Sequence, residues 1–377
     1  MQVVCKNYIE NQQLYHAFDE PLFLKPDGNR TRYCIGWNGY GRYMPGTLKV
    51  MYNGLPCNII EEDNGIWYNF SVAPGSNTNY NDYTVTYTAR PLDYAFSIGD
   101  PVGGYPNEEY FLFPNWNNAL GEGDAFWIGK YQASNNNENI PQSRSNANIW
   151  TNINRDNAII RAKSKGTGFG VIRNRQWVSI ALWCDHHNIH VKGNIYGNSI
   201  NNLDGDGTTL TQVGGGYTAY NNYYGVTGNN IPNSWNHNGL ESGIHHMVGN
   251  FSEIIDGLEN RAGEIYILAE DNETYVDSGI NISSNPTDIA VVDISNTSSS
   301  ILNEGIANTV STNGYIPSNL DGDVAWYNST SNKIFGLFRG GDMFYGTRCG
   351  LWMFMSNSYI SYNDWNNCFR LSRKVID

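Results

Sequence analysis

No stretch of the sequence stays apolar for the roughly 18 residues that a membrane-crossing helix needs, which excludes a helical span. The opening residues, Met1-Gln2-Val3-Val4-Cys5, lack a basic segment followed by an apolar one, so no secretory leader is expected there. Charge is scarce as well: Asp, Glu, Lys and Arg make up 16% of 377 residues, against about a quarter in an ordinary globular chain. Basic residues are the scarcer, with 23 Lys and Arg against 36 Asp and Glu and a formal charge of −13. A chain without a basic stripe is poorly suited to a phosphate backbone, so nucleic acid is not expected as a partner. The six cysteines, Cys5, Cys34, Cys57, Cys184, Cys349 and Cys368, include no C-x-x-C pair. A zinc ribbon or thioredoxin-type site is therefore not expected, and reduced, buried thiols are.

Asn takes up the missing charge, at roughly one residue in seven. It is joined by 40 Gly, 26 Tyr and 11 Trp. Asn and Gly tolerate positive φ and build turns. Tyr and Trp supply rigid, amphipathic contact area. Together they are the palette of binding surfaces, and equally of a loop-rich β protein. A hydrophobic share of 40% is enough for real cores, and the length suggests two or three domains.

The first ninety or so residues read as β. Asn38-Gly39, Asn53-Gly54 and Asn64-Gly65 each fall where a hairpin turn would sit, and Tyr83 to Thr88 is a Tyr/Val/Thr strand. A small antiparallel sandwich is expected over residues 1–92, ending near Ala89-Arg90-Pro91. Phe126 to Tyr131 reads as a buried strand, and Ser134 to Asn139 as a loop. Two helices follow. Asn154 caps one with Ala158, Ile159 and Ala162 on one face and Gly166 as the stop; Asn174 is expected to cap the other, with Trp177, Ile180, Ala181 and Cys184 forming its stripe. Residues 193–240 are too long for a simple linker in a compact domain. Residues 263–269 and 334–338 read as strands, and the Ser/Asn-rich stretch 278–311 as a surface insertion. No internal repeat is apparent.

Several short motifs, in order, carry a resemblance. Ala125-Phe126-Trp127-Ile128-Gly129-Lys130-Tyr131 is followed by Arg173-Asn174-Arg175-Gln176-Trp177 with Ala181-Leu182-Trp183-Cys184. Then come Lys192-Gly193-Asn194, Gly243-Ile244-His245-His246-Met247-Val248-Gly249-Asn250 (running on to Gly257) and Phe338-Arg339-Gly340-Gly341. The series resembles the formylglycine-generating-enzyme-like branch of the C-type lectin fold over roughly residues 95–377. The stretch Arg339 to Arg370 resembles the variable repeat of a diversity-generating-retroelement target protein, in which a mutagenic reverse transcriptase scrambles template adenines.

The resemblance implies an α+β fold: a small all-β domain over 1–92, then a C-type-lectin-like domain over 93–377. It implies a fixed frame of Gly346, Cys349 to Trp352, Phe354, Trp365 and Cys368 to Arg370. The ligand-binding positions it implies are Asp342, Met343, Phe344, Tyr345, Thr347, Arg348, Met353, Met355, Asn357, Ser358, Tyr359, Ile360, Tyr362, Asn363 and Asp364. Strand alternation puts Trp352 and Phe354 on one face and Met353 and Met355 on the other. From the residues alone, those methionines are either part of a solvent-exposed ligand surface or core of a strand covered on both sides. The resemblance favours exposure.

The implied function is non-enzymatic recognition of a cell-surface protein or glycan, as at a phage tail-fibre tip. The first module would attach or trimerise the chain, with no membrane insertion. The alternatives are a bacterial surface or pilus-tip adhesin of the same family and a metal-dependent oxidase on the same fold. Catalytic thiols at Cys349 and Cys368 lack an obvious activating partner beyond Arg348 and Arg370; buried thiols or a disulfide are expected. His186, His187 and His190 beside Asp185, and the pair His245-His246, read as helix-end and turn residues rather than metal ligands. Asp204-Gly205-Asp206-Gly207 and Asp321-Gly322-Asp323 read as Asp-Gly turns that leave room for a structural Ca²⁺ but imply no catalytic one. No other cofactor is expected.

Overall fold

Alternation shapes the amino-terminal strands, and covered faces shape those that follow. The computed structural model describes residues 8–10, 14–20, 22, 26, 28–35, 43–62, 67–76, 82–89, 108–114, 125–136, 138–186, 189–197, 199–210, 217–220, 223–227, 230–241, 243–269, 273–281, 290–291, 324–327 and 333–374. The described chain is mostly β, with two α-helices.

Strands β1 (Tyr8–Glu10), β2 (Leu14–Glu20), β3 (Arg32–Cys34), β4 (Lys49–Tyr52), β5 (Leu55–Pro56), β6 (Ile59–Glu61), β7 (Trp67–Phe70) and β8 (Tyr83–Ala89) form two antiparallel sheets. Their orders are β1-β2-β8-β4-β5 and β3-β7-β6. In β8 every second residue, Tyr83, Val85, Tyr87 and Ala89, is buried, the pattern of a sheet with one face inward. The Phe70 and Tyr83 rings meet edge to face at 5.8 Å, joining the two sheets. Asn53 and Gly54 both have positive φ, 48° and 80°, as a two-residue turn between β4 and β5 requires. The Asn38-Gly39 and Asn64-Gly65 turns lie outside the described residues, as does the segment 90–107 where a domain boundary was expected.

Further along come β9 (Tyr110–Pro114), β10 (Ala125–Gly129), β11 (Ser134–Asn135), β12 (Pro141–Gln142), α1 (Arg155–Ser164), β13 (Phe169–Val171), α2 (Asn174–His186), β14 (Tyr217–Tyr220) and β15 (Tyr223–Val226). The last set is β16 (Ser252–Arg261), β17 (Glu264–Leu268), β18 (Tyr275–Asn281), β19 (Ala290–Val291), β20 (Val324–Tyr327), β21 (Ile334–Arg339), β22 (Phe354–Ser356), β23 (Asn367–Phe369) and β24 (Leu371–Lys374). A four-stranded sheet runs β13-β24-β10-β9, so the chain end pairs with the buried strand Phe126–Gly129. The largest sheet runs β18-β17-β16-β21-β22-β20-β19, with β23 joined to β16 in parallel. Residues 278–281 therefore belong to a paired strand rather than to a surface insertion; the rest of that stretch, apart from β19, lies outside the described residues.

Asn154 caps α1 as expected: its Oδ1 accepts from the Asn157 amide at 2.9 Å, and Gly166 follows with φ 147°. Ala158 and Ala162 are sealed against the core. In α2 the expected stripe of Trp177, Ile180, Ala181 and Cys184 is fully buried. Its cap is corrected. Asn174 is the first helical residue, and Gln176 Oε1 reaches back to accept from the Arg173 amide at 2.9 Å, in the manner of a capping box. The Asn174 side chain turns inward instead.

Candidate functional site

The tail is pinned from beneath by buried polar residues. Arg370 is fully buried: its Nη2 and Nε donate to the Glu253 carboxylate at 2.5 and 3.0 Å, and its remaining donors reach the carbonyls of Gly129, Lys130 and His245. Arg339, equally buried, donates to the carbonyls of Trp352 and Met353 and to Asn174 Oδ1. Trp177 Nε1 donates to Leu351 O at 2.6 Å. Asn250, with φ 66°, pairs through its amide with Gln132 and with the backbone of Val226, while its carbonyl accepts from the Met343 amide. The expected frame residues Gly346, Cys349 to Trp352, Phe354 and Cys368 to Arg370 are all buried, and Trp365 is half-buried.

Main-chain bonds then shape two loops. Between β21 and β22, the Gly197 amide donates to Met343 O and the Gly346 amide to Ile195 O. Gly346 has φ 58°, and a Cβ there would lie 2.9 Å from the Tyr196 ring, so this turn demands glycine. Between β22 and β23, the Gly336 amide donates to Ser358 O, the Ile360 amide to Ile334 O and the Asn152 amide to Asp364 O. Backbone contacts hold both loops, which leaves many of their side chains facing outward.

Four of the residues expected on the ligand surface are inside. Met353 is fully buried, and Met355 nearly so, because both side chains join the main hydrophobic core. Met343 packs with Ile149, Phe251 and Cys368 in a satellite core. Asp342 is buried beneath the loop, where its carboxylate accepts from the Phe344 amide at 2.7 Å, Asn366 Nδ2 at 2.5 Å and Ser252 Oγ at 3.5 Å. Burial pushes its carboxyl up to about 7 against those three stabilising donors. Asp342, Met343 and Met353 serve the frame; Met355 does too, but it also forms the base of a concavity.

The other positions reach the surface. Phe344, Thr347, Arg348, Asn357, Tyr359, Tyr362 and Asn363 are exposed, and Tyr345, Ser358, Ile360 and Asp364 are half-buried. Tyr345, Met355, Asn357, Ser358, Tyr359, Tyr362 and Asp364 line one concavity of about 300 Å³. Asn366 and Asn367 complete the lining, and sequence reasoning missed both. The Asp364 charge, more than partial burial, raises the Tyr362 phenol. Burial, with Asp342 the next cause, raises that of Tyr345. Beside the concavity, Phe344 is 59% exposed and stands edge-on to Tyr223 at 5.2 Å, and Tyr223 in turn meets Trp365 at 5.8 Å. Tyr223 comes from β15, far from the tail in sequence. Lys333 Nζ rests 3.9 Å from the centre of the Tyr359 ring. No sequence signal marked Tyr223 or Lys333.

Chemistry elsewhere is structural. Cys349 and Cys368 are not joined; their thiols donate to Asp342 O at 3.0 Å and Phe251 O at 3.8 Å. Burial pushes the Cys368 thiol well up, the reverse of what a nucleophile needs. His245 and His246 are buried, His246 at φ 58°, so they fill a turn. Burial first, then Lys130 and His246, holds His245 well below the usual imidazole range. Asp204 accepts from the Asp206 and Thr208 amides and the Thr208 hydroxyl, which makes it a self-bonded Asx turn. The side chains of Asp185, His186 and His187, and the Asp321-Gly322-Asp323 fragment, lie outside the described residues. Among the described residues no three His, Cys, Asp or Glu side chains gather as metal ligands, and no helix is long and apolar enough to cross a membrane.

By overall structure the chain is similar to two tropism determinants. One is the Major Tropism Determinant I1 variant, at a TM-score of 0.33 and 11% identity, with 88% of this chain and 73% of that one covered. The other is the M1 variant, at a TM-score of 0.27 and 12% identity, with 89% and 74% covered. No protein-family model and no curated protein matches the chain.

Proposed function

We infer that this is a non-enzymatic receptor-binding protein, a C-type-lectin-like domain whose carboxyl-terminal loops form an interchangeable contact surface for a ligand on a cell. The observation that carries this reading is the division of burial along the tail. Frame residues at 349–352, 354 and 368–370 are sealed, while Phe344, Thr347, Arg348, Asn357, Tyr359, Tyr362 and Asn363 face solvent. Exposed aromatics grouped beside amides mark an interaction site rather than an ordinary monomer surface. Backbone-held loops accept many side chains, because exposed substitutions usually shift stability by only about 0.5 kcal/mol.

Phage tail-fibre tips are the setting this reading favours, with the amino-terminal sheets as the attachment or trimerisation module. Several copies would multiply a weak single-site affinity by roughly 10²–10⁴. The test is binding of the labelled full chain to a panel of bacterial cells, before and after joint Tyr359→Ala and Tyr362→Ala replacement. Loss of binding with an unchanged melting curve supports the reading; undiminished binding by the double variant sinks it. A reverse-transcriptase gene beside a near-copy of the tail's coding sequence, with Asn codons at the exposed positions, would tie the surface to a retroelement. A strict monomer in light scattering would remove the trimer.

A further inference from the structure

We propose that the concavity between the two tail loops is a subsite for an uncharged saccharide of the cell surface. This rests on the receptor-binding reading and names the chemistry of the ligand. The cleft, at about 300 Å³, sits at the small end of ligand pockets, roughly 300–1,000 Å³. That size suits a sugar unit or two rather than a folded epitope.

Its lining is the second argument. Asn357, Asn366 and Asn367 contribute amide groups to the lining, of which Asn357 is exposed, and Ser358 contributes a hydroxyl. Asp364 adds the one carboxylate. A wall that mixes donors and acceptors this densely matches a polyol, in which every hydroxyl both donates and accepts. Against an inserted Leu or Phe anchor the same groups would be left without partners. Among the described residues Met355 is the sole wholly apolar side chain in the lining, whereas anchors of protein interfaces fill apolar pockets.

Charge is the third argument. Among the described residues no Lys, Arg or His lines the cleft, Lys333 standing on the Tyr359 ring outside that lining, and the chain carries −13, so sulfated, phosphorylated or carboxylated sugars are disfavoured. The wall is also prearranged: Asn366 is held by Asp342 at 2.5 Å, and Asp364 Oδ1 accepts from the Trp365 amide at 2.8 Å. Tyr362, 48% exposed at the rim, offers a ring against which sugar C–H groups can lie.

The experiment places the labelled full chain on an array of immobilised neutral and acidic oligosaccharides. In parallel, bacterial cells that bind the chain are treated with mild periodate, which cleaves vicinal diols, or with protease. The expected result is binding to neutral members, weakened by about tenfold or more in Asp364→Asn and Tyr362→Ala, with unchanged melting and with cell binding lost after periodate. Binding to acidic members alone overturns the proposal. So does cell binding that survives periodate but not protease with no saccharide bound; that outcome assigns the surface to a protein ligand and leaves the receptor-binding reading standing. Saccharide binding without binding to any cell upholds the subsite and overturns the receptor-binding reading. Binding to neither overturns both.

Discussion

Arg339 Nη2 donates to Asn174 Oδ1 at 2.8 Å, with both side chains buried. The bond ties the first turn of α2 to the strand that leads into the tail. The other Arg339 contacts, to the carbonyls of Trp352 and Met353, fix the loop on its far side. Asn174→Ala would remove one hydrogen-bond acceptor from a buried guanidinium and is expected to cost about 2–3 kcal/mol. Asn174→Asp, which keeps the acceptor, should cost less. Urea unfolding of the three proteins checks the order.

The division between frame and surface predicts opposite outcomes for residues four to nine places apart. Met353→Ala removes a fully buried side chain from the main core and should cost roughly 2–5 kcal/mol. Asn357→Ala and Tyr362→Ala alter exposed side chains and should stay within about 0.5 kcal/mol. Thermal melts read both. A collapse of Tyr362→Ala would place that ring in the core and end the surface assignment.

Local chemistry was legible in the sequence, and sheet neighbours were not. The Asn154 cap, the α2 stripe, the Asn53-Gly54 turn and the Tyr/Val/Thr strand β8 follow from bonds, periods and composition spanning a few residues. The tail shows where that logic stops. Alternation assigned Trp352 and Phe354 to one face and Met353 and Met355 to the other, yet all four are buried. Both methionines join a core assembled from elements distant in sequence, which alternation along one strand does not reveal. Asp342 failed for a related reason: an acidic residue in a loop is ordinarily exposed, and only Ser252 and Asn366, distant in sequence, provide it with a buried site. Tyr223 was invisible because a Tyr in a Gly/Asn-rich stretch carries no period; its role comes from where the β14–β15 hairpin brings it.

The cysteines predict a graded reactivity. Cys184, Cys349 and Cys368 are buried, whereas Cys57 is partly exposed. Of these four, iodoacetamide should modify Cys57 first under native conditions, slowly because burial raises its thiol too, and leave the other three untouched until the chain unfolds. Peptide mass spectrometry of the unreduced protein should show no bridge between Cys349 and Cys368. A Cys349–Cys368 disulfide would contradict the separate carbonyl partners of the two thiols.

Asp342 gives the chain a pH dependence opposite to that of a paired surface carboxylate. In the unfolded chain its carboxyl titrates near the ordinary aspartate value of 3.8; in the folded protein burial raises it to about 7. Between these values the folded state holds a proton that the unfolded state has released, so stability falls as pH rises. The contribution is fully present below about pH 4 and gone above about pH 7, where the ionised carboxylate sits under the loop with Asp364 adding repulsion. Asp342→Asn should flatten that slope: its carbonyl still accepts from the Phe344 amide, and its new N–H can reach Asn366 once that amide turns over, since Asn366 Oδ1 finds no partner among the described residues. Denaturant midpoints from pH 4 to 8 for both proteins provide the measurement. Parallel curves would show that Asp342 does not titrate in this window.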